Sequence, residues 1–403
     1  MGAQPLITNA QRRARLAARH RLVPRSRTND IAAITESVVA LHSSDPATVY
    51  LSAMARMRNP SVQAISAALY DDRTVVRHHA MRRTLWVFTP QFARHAHAVC
   101  TAPLALREWK GLAALVEASE VAASGAEWVA AARADTLRAL ERLGEVTARR
   151  LGREVPALNE KLHLAVGKSY AASQGAHTRL LLNLGFDGAI VRTRPSSSWI
   201  TSEYNWSLAD KWIPGGLLGT PSDEAAAGVL RAYLAQFGPA TLADIQWWAG
   251  WTAGLTKQTL AAVNAVEVWL DEGTGWVLPD DADLHNDGHV ETVDEPWVAF
   301  LPGLDSTTMG WKQRSWYLGD LGAFGSSVFD RNGNGGPTVW VDGQVVGGWA
   351  QRKSGEVVYE LLTEVPKSRH KAIAAEAERV RQLISNERVA ARFPAPMRKT
   401  LLG

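Results

Sequence analysis

Residues 38–52 read VVALHSSDPATVYLS. Asp45 followed by Pro46 is a strong helix start, because an aspartate side chain accepts from the first free N–H groups and proline suits the first helical position. Behind it Val49, Tyr50, Ala53, Met54 and Met57 recur at helical spacing. Ahead of it TNDIAAITESVVAL places Ile31, Ile34, Val38 and Leu41 on one helical face after a Thr28-Asn29-Asp30 start signal. His42, Ser43, Ser44 and Asp45 therefore fall between the last turn of one helix and the first turn of the next.

Working outward, Asn59-Pro60 starts a third helix carrying Val62, Ile65 and Leu69. TVVRHHAMRRTLWVFTP then reads as two short strands, residues 74–77 and 84–88. Three short helices followed by a two-stranded ribbon is the order of a winged helix. The same order returns in residues 223–280, where three helices lead to strand VEVWL, turn DEGTG and strand WVLP. ADTLRALERLG, EVTARRLG and AHTRLLLNLGF, followed by GAIVRTRPSSSWITSEYNW, give a middle unit with a longer ribbon. After residue 296 short strands are broken by Asn332-Gly333 and Asp342-Gly343, dipeptides that favour hairpin turns. A last helix is expected over residues 368–390. The fold class is α+β: three winged-helix domains in tandem, packed around a C-terminal β-barrel-like module. Residues 1–98 hold the first winged helix and a basic lead-in, 99–215 the second, 216–294 the third, and 295–403 the barrel module.

Composition narrows the partner. The net charge of +4 conceals +9 in residues 1–100, which carry fourteen arginines, no lysine and five acids, against −5 in the rest. So many fork-shaped donors suit phosphate, although an arginine-rich solvated face gives the same count. One cysteine, Cys100, leaves no intramolecular disulfide and no cysteine-rich zinc site. No apolar run reaches the roughly 18 residues a membrane span needs, so a cytoplasmic protein is expected; the compact multi-module layout suggests a monomer, and no metal or cofactor is expected. No P-loop, dinucleotide-binding glycine pattern, HExxH or GxSxG occurs. Sixteen tryptophans point to aromatic packing between modules.

LHSSDPATVYLSAMAR, RTLWVFTP, FGPATLADIQWWAG and GPTVWVDGQVVGGWAQRKSGEVV together resemble the AlkZ-like winged-helix DNA glycosylase superfamily, over nearly the whole chain and in its order. The resemblance implies tandem winged helices around a β-barrel, a channel for duplex DNA, and removal of N7-alkylated purines, bulky adducts and crosslinks included. Its catalytic signature, glutamine, any residue, then glutamine or aspartate, falls here on His42, Ser43 and Ser44, with Asp45 next. Neither family side chain stands in its own position.

An N7-alkylated purine is cationic, which already weakens its glycosidic bond, so a held water and an anion facing the developing sugar cation suffice for hydrolysis. His42 is the expected water holder and general base, Asp45 the stabilising anion, and Ser44 the orienting hydroxyl. Against this, Asp45 is equally well explained as a helix cap, Ser44 as an alternative cap, and His42 as a donor to a backbone carbonyl. Phosphate contacts are expected from Arg12, Arg13 and Arg15 in the lead-in and from Arg77, Arg82 and Arg83 on the first wing. Lys312 and Arg314, in TTMGWKQRSWY, complete the set. The expected partner is double-stranded DNA, which implies a nucleoid-associated location. The competing function is a DNA-binding protein that does not cut, either a regulator or a lesion binder.

Overall fold

A computed structural model of the chain describes residues 6–169, 171–286, 295–319 and 325–403. Three times a helix, a two-residue strand, two helices and two longer strands follow in that order. In the first unit they are Ile31–Ser37, Leu41–His42, Pro46–Arg56, Val62–Tyr70, Val76–His79 and Leu85–Phe88. The second comprises Gly125–Leu143, Val146–Thr147, Ala148–Glu154, His177–Phe186, Ile190–Pro195 and Tyr204–Leu208. The third comprises Ser222–Phe237, Ala240–Thr241, Leu242–Ala249, Ala253–Ala262, Val266–Leu270 and Gly273–Val277. In each unit the last strand lies at the centre of a three-stranded antiparallel sheet, flanked by the other two. An additional hairpin, Lys161–Leu164 with Ala172–Gly175, interrupts the second unit.

One boundary around the opening stretch differs from the expectation. The first helix stops at Ser37, Val39 turns into the left-handed region at φ 61°, and Leu41–His42 becomes a strand. Leu41 faces Val87 and His42 faces Trp86 across the ladder. A helical apolar spacing does not record a strand partner more than 40 residues away, so the local pattern points to helix. The next boundary agrees with the sequence: Asp45 (φ −110°, ψ 117°) accepts the Ala47 N–H at 3.2 Å and Pro46 opens the helix.

The C-terminal module is an open sheet among the described residues. Val298–Leu301, Thr338–Val341, Gln344–Gln351 and Val357–Leu361 pair antiparallel in chain order, and the two outer strands do not meet, so the barrel does not close. The turn at Asp342-Gly343 has φ 48° and 87°, as that dipeptide favours. The Lys367–Ile384 helix ends earlier than expected, and residues 385–396 run back toward Asp45. Residues 271–295 carry nine acids and no lysine or arginine, and within this acidic stretch residues 287–294 lie outside the described residues.

The first and third units and the C-terminal sheet share one core, whereas the second unit has its own, built on Leu151, Leu180, Leu184 and Ile190. Tryptophans bind the shared core together. Trp311 and Trp316 are 2% exposed, lie 4.8 Å apart edge to face, and continue through Tyr317 to Trp340. A buried polar cluster fixes the helix behind Asp45: Arg56 makes a two-pronged ion pair with Asp305, at 2.8 and 2.9 Å, and donates to Thr307 Oγ1. Ser52 and Thr48 on the same helix donate to Asp305 and to the Gly303 carbonyl.

Candidate functional site

His42 ends the Leu41–His42 strand and Ser44 and Asp45 follow it, each with its own partners; the Ser44 Oγ faces the Leu85 N–H at 3.5 Å. The His42 ring is 3% exposed and packs against Trp86 with centroids 4.4 Å apart. Its Nδ1 accepts the Ser44 N–H at 3.3 Å, which places the ring proton on Nε2. Burial, and then the nearby charge of Arg82, push its pKa down to about 3, so the imidazole is neutral throughout the physiological range. Neither ring nitrogen in this arrangement can take a proton from water. Ser43, the residue between, is buried and its Oγ accepts from Arg77 Nε at 2.8 Å.

Asp45 is 7% exposed. Its Oδ1 caps the helix, and its Oδ2 accepts the backbone N–H of Arg392 at 3.0 Å. Burial raises its pKa above the ordinary carboxylate value, opposed by the two N–H donors and by the Arg392 charge. Thr48, Gln351 and Arg398 join Asp45 around a cavity of about 40 Å³, room for a water. Arg392 also donates from Nη1 to the Ser44 carbonyl at 3.4 Å and from Nη2 to Ser202 Oγ at 2.6 Å, bridging the slot to the second unit. Sequence reasoning missed this residue, which lies 347 positions from Asp45 in an irregular segment with no periodicity of its own.

The arginines divide into two groups. Arg12 is ion-paired to Glu272 at 2.5 Å and lies over the Trp316 ring, and Arg15 reaches Asp281 at 3.2 Å. Both are buried, so part of the basic lead-in is neutralised by the acidic stretch of the third unit rather than offered to a partner. Arg13 is half-buried and donates to the Trp316 carbonyl at 3.0 Å. Arg77 is 2% exposed because the Ile190–Pro195 and Tyr204–Leu208 ribbon of the second unit covers its strand; Tyr70 and Ser43 take its donors and Tyr204 covers its face. These positions do not present Arg12, Arg15 or Arg77 to a phosphate.

The turn between the two long strands of the first unit does present charge. Arg82 and Arg83 are both left-handed, with φ 53° and 63°. Arg82 stacks on Trp247 of the third unit at 4.0 Å, and Arg314 approaches the same ring at 5.2 Å while lying over Phe329. Asp244, about one turn before Trp247 on the Leu242–Ala249 helix, accepts the backbone N–H groups of Lys312 and Gln313 at 2.9 and 2.8 Å and so fixes that segment beside the helix. Lys312 and Arg83 are exposed. Arg83 pairs with Glu108, whereas Arg82, Lys312 and Arg314 have no carboxylate partner among the described residues. Arg82 and Arg314 thus share one platform, Trp247, which periodicity assigns only to a helix, while Lys312 stands two residues before Arg314 and Arg83 turns toward Phe186 and Glu108.

Among the described residues no group of three His, Cys, Asp or Glu side chains could hold a metal ion, and no helix is long and apolar enough to cross a membrane. A family model described as DNA glycosylase AlkZ-like matches residues 35–383. The solved structure of Streptomyces sahachiroi DNA glycosylase AlkZ is similar in fold, with a TM-score of 0.71 and 18% sequence identity, covering 95% of this chain and 99% of that one. No curated protein matches the sequence.

Proposed function

The chain belongs to the DNA glycosylase AlkZ-like family, and on that premise we propose that it hydrolyses the N-glycosidic bond of N7-alkylated purines in duplex DNA, as a monomer and without metal or cofactor. The observation that carries the reading is Asp45: a carboxylate at a helix N-terminus, largely withdrawn from water and beside a cavity that fits one. The positive charge of the alkylated purine draws the N9–C1′ electron pair onto the leaving base. Water oxygen bonds to C1′, its proton passes to Asp45 or solvent, and the Asp45 anion stabilises the sugar cation before that bond forms.

In this reading Asp45 is the catalytic residue and Ser44 lies beside the sugar. The base role expected of His42 passes to Asp45, because a buried imidazole with a pKa near 3 is too weak a base. His42 becomes a positioning residue that holds the Ser44 backbone through Nδ1. Arg82, Arg83, Lys312 and Arg314, with Arg13 at the margin, grip the duplex backbone. We read the three helix–strand units as winged helices and keep the module boundaries near residues 98, 215 and 294.

One observation favours a binder that does not cut: both Asp45 oxygens already have donors, and residues 389–392 must withdraw before DNA reaches the slot. The two functions separate in one assay. Duplex containing N7-methylguanine loses free base to the wild-type protein and not to Asp45→Asn if the glycosylase reading holds; tight binding with no base released by either protein supports the binder.

A further inference from the structure

Beside the slot, on the far side of Arg392, lies a cleft of about 570 Å³ whose walls include Arg149, Arg192, Arg392, Tyr204, Trp206 and Glu203. Its electrostatics are unbalanced. Arg192 lies over the Trp206 ring at 5.1 Å and the Tyr204 ring at 5.9 Å, and Arg77 covers Tyr204 at 4.5 Å. No carboxylate pairs with Arg149, Arg192 or Arg392 among the described residues; Glu203, the acid on the wall, is exposed and approaches Ser196 instead. Like charges crowded in this way raise each other's energy. Burial first, and then Arg77 and Arg392 against the opposing influence of Tyr204, push Arg192 down to about 10, which leaves it charged at neutral pH.

A second observation is independent of charge. Tyr204 is 8% exposed and its hydroxyl is buried with no hydrogen-bond partner. Buried hydroxyls are nearly always satisfied, and one left open beside unpaired guanidiniums marks a place where a ligand supplies the acceptor. An anion with several acceptor oxygens answers both the surplus charge and the open donor.

We propose that this cleft binds a phosphate, held by Arg192, Arg392 and the Tyr204 hydroxyl, and that this phosphate belongs to the DNA strand lying across Ser44 and Asp45. The assignment of the strand rests on the function proposed above; the phosphate chemistry does not. It also gives residues 389–392 a route to open: a phosphate competes for the Arg392 guanidinium, which now holds the Ser44 carbonyl and Ser202.

The test scans a single neutral methylphosphonate linkage along a duplex whose register is fixed by one tetrahydrofuran abasic-site analogue, and measures affinity for the wild type, Arg192→Met and Tyr204→Phe. Tyr204→Phe keeps the ring and removes only the hydroxyl, so it guards against a folding defect in Arg192→Met. One linkage at which the wild type loses about tenfold, and at which neither variant loses further, is expected, since groups that meet at one phosphate have non-additive effects. Effects that add at every linkage overturn the proposal. Titration of the DNA-free protein with inorganic phosphate separates the source: micromolar uptake abolished by Tyr204→Phe, with no sensitive linkage in DNA, assigns the cleft to a free anion and overturns the strand assignment. Base release is not read in either arm, so an inactive protein and an empty phosphate site remain distinguishable.

Discussion

At the scale of single residues, His42 and Asp45 illustrate what three positions of spacing conceal. Their pKa values move in opposite directions from their own references for one shared reason, burial, which disfavours whichever form is charged. Replacing His42 with alanine removes a buried ring from Trp86 and leaves the Ser44 N–H without its acceptor, costing about 3 kcal/mol of stability. His42→Gln restores an acceptor; thermal melting and base release should both stay near wild type, and an intact His42→Gln with no activity would return the base role to the imidazole. Asp45 must be ionised to act. With its pKa raised, base release should fall on the acid side with a midpoint above 3.8, the ordinary aspartate value, and the limb should vanish in Asp45→Asn. The Asp45-Pro46 helix start was legible because a cap acts within three residues. The tautomer of His42 was not, because it depends on how the backbone folds around the ring.

Elements show the same division between local and distant causes. The Val266–Leu270 strand and its hairpin could be read from alternation and turn residues, although the turn tightens to Asp271-Glu272 and the second strand begins at Gly273 rather than Trp276. Leu41–His42 could not, since only the pairing with Trp86 and Val87 makes it a strand. The Arg82-Arg83 turn was legible as charge but not as geometry. Its two left-handed residues and the Trp247 platform come from the meeting of the first and third units. Because φ is already 63° at Arg83, Arg83→Gly should leave stability within about 1 kcal/mol of wild type while weakening DNA binding. The double substitution Arg82→Gln with Arg314→Gln should lower the steepness of log affinity against log salt by about 2, since each phosphate no longer neutralised removes about 0.9. An unchanged slope would remove this face from the DNA interface.

For the whole molecule, composition exposed a charge asymmetry and the fold decides its use. Arg12 and Arg15 neutralise Glu272 and Asp281 internally, while Arg82, Arg192, Arg314 and Arg392 stay without acid partners among the described residues. No sequence count distinguishes these two fates. Arg56 is a third case: removing it as Arg56→Met leaves Asp305 buried without a counter-charge, held by Ser52 and the Thr307 N–H alone, which should cost about 4 kcal/mol and loosen the first unit from the C-terminal sheet. The buried histidines set acid tolerance. His20 and His42 are pushed to about 3 and His97 to about 4, with His78 and His79 well below their usual value, all chiefly by burial. Their folded pKa values lie below the unfolded one, so the unfolded chain binds more protons as pH drops through about 6.5, and stability present above that pH is lost below it. His20, His42 and His97 together amount to roughly 4 kcal/mol between pH 7.5 and 5.5, with His78 and His79 acting in the same direction, which denaturant melts at the two pH values would show.

The most direct test of the account is single-turnover release of N7-methylguanine from duplex DNA at neutral pH, comparing the wild type with Asp45→Asn and His42→Gln. The wild type and His42→Gln should release the base, and Asp45→Asn should do so at least about a hundredfold more slowly with DNA binding retained. Release by Asp45→Asn at the wild-type rate would contradict the catalytic role of Asp45.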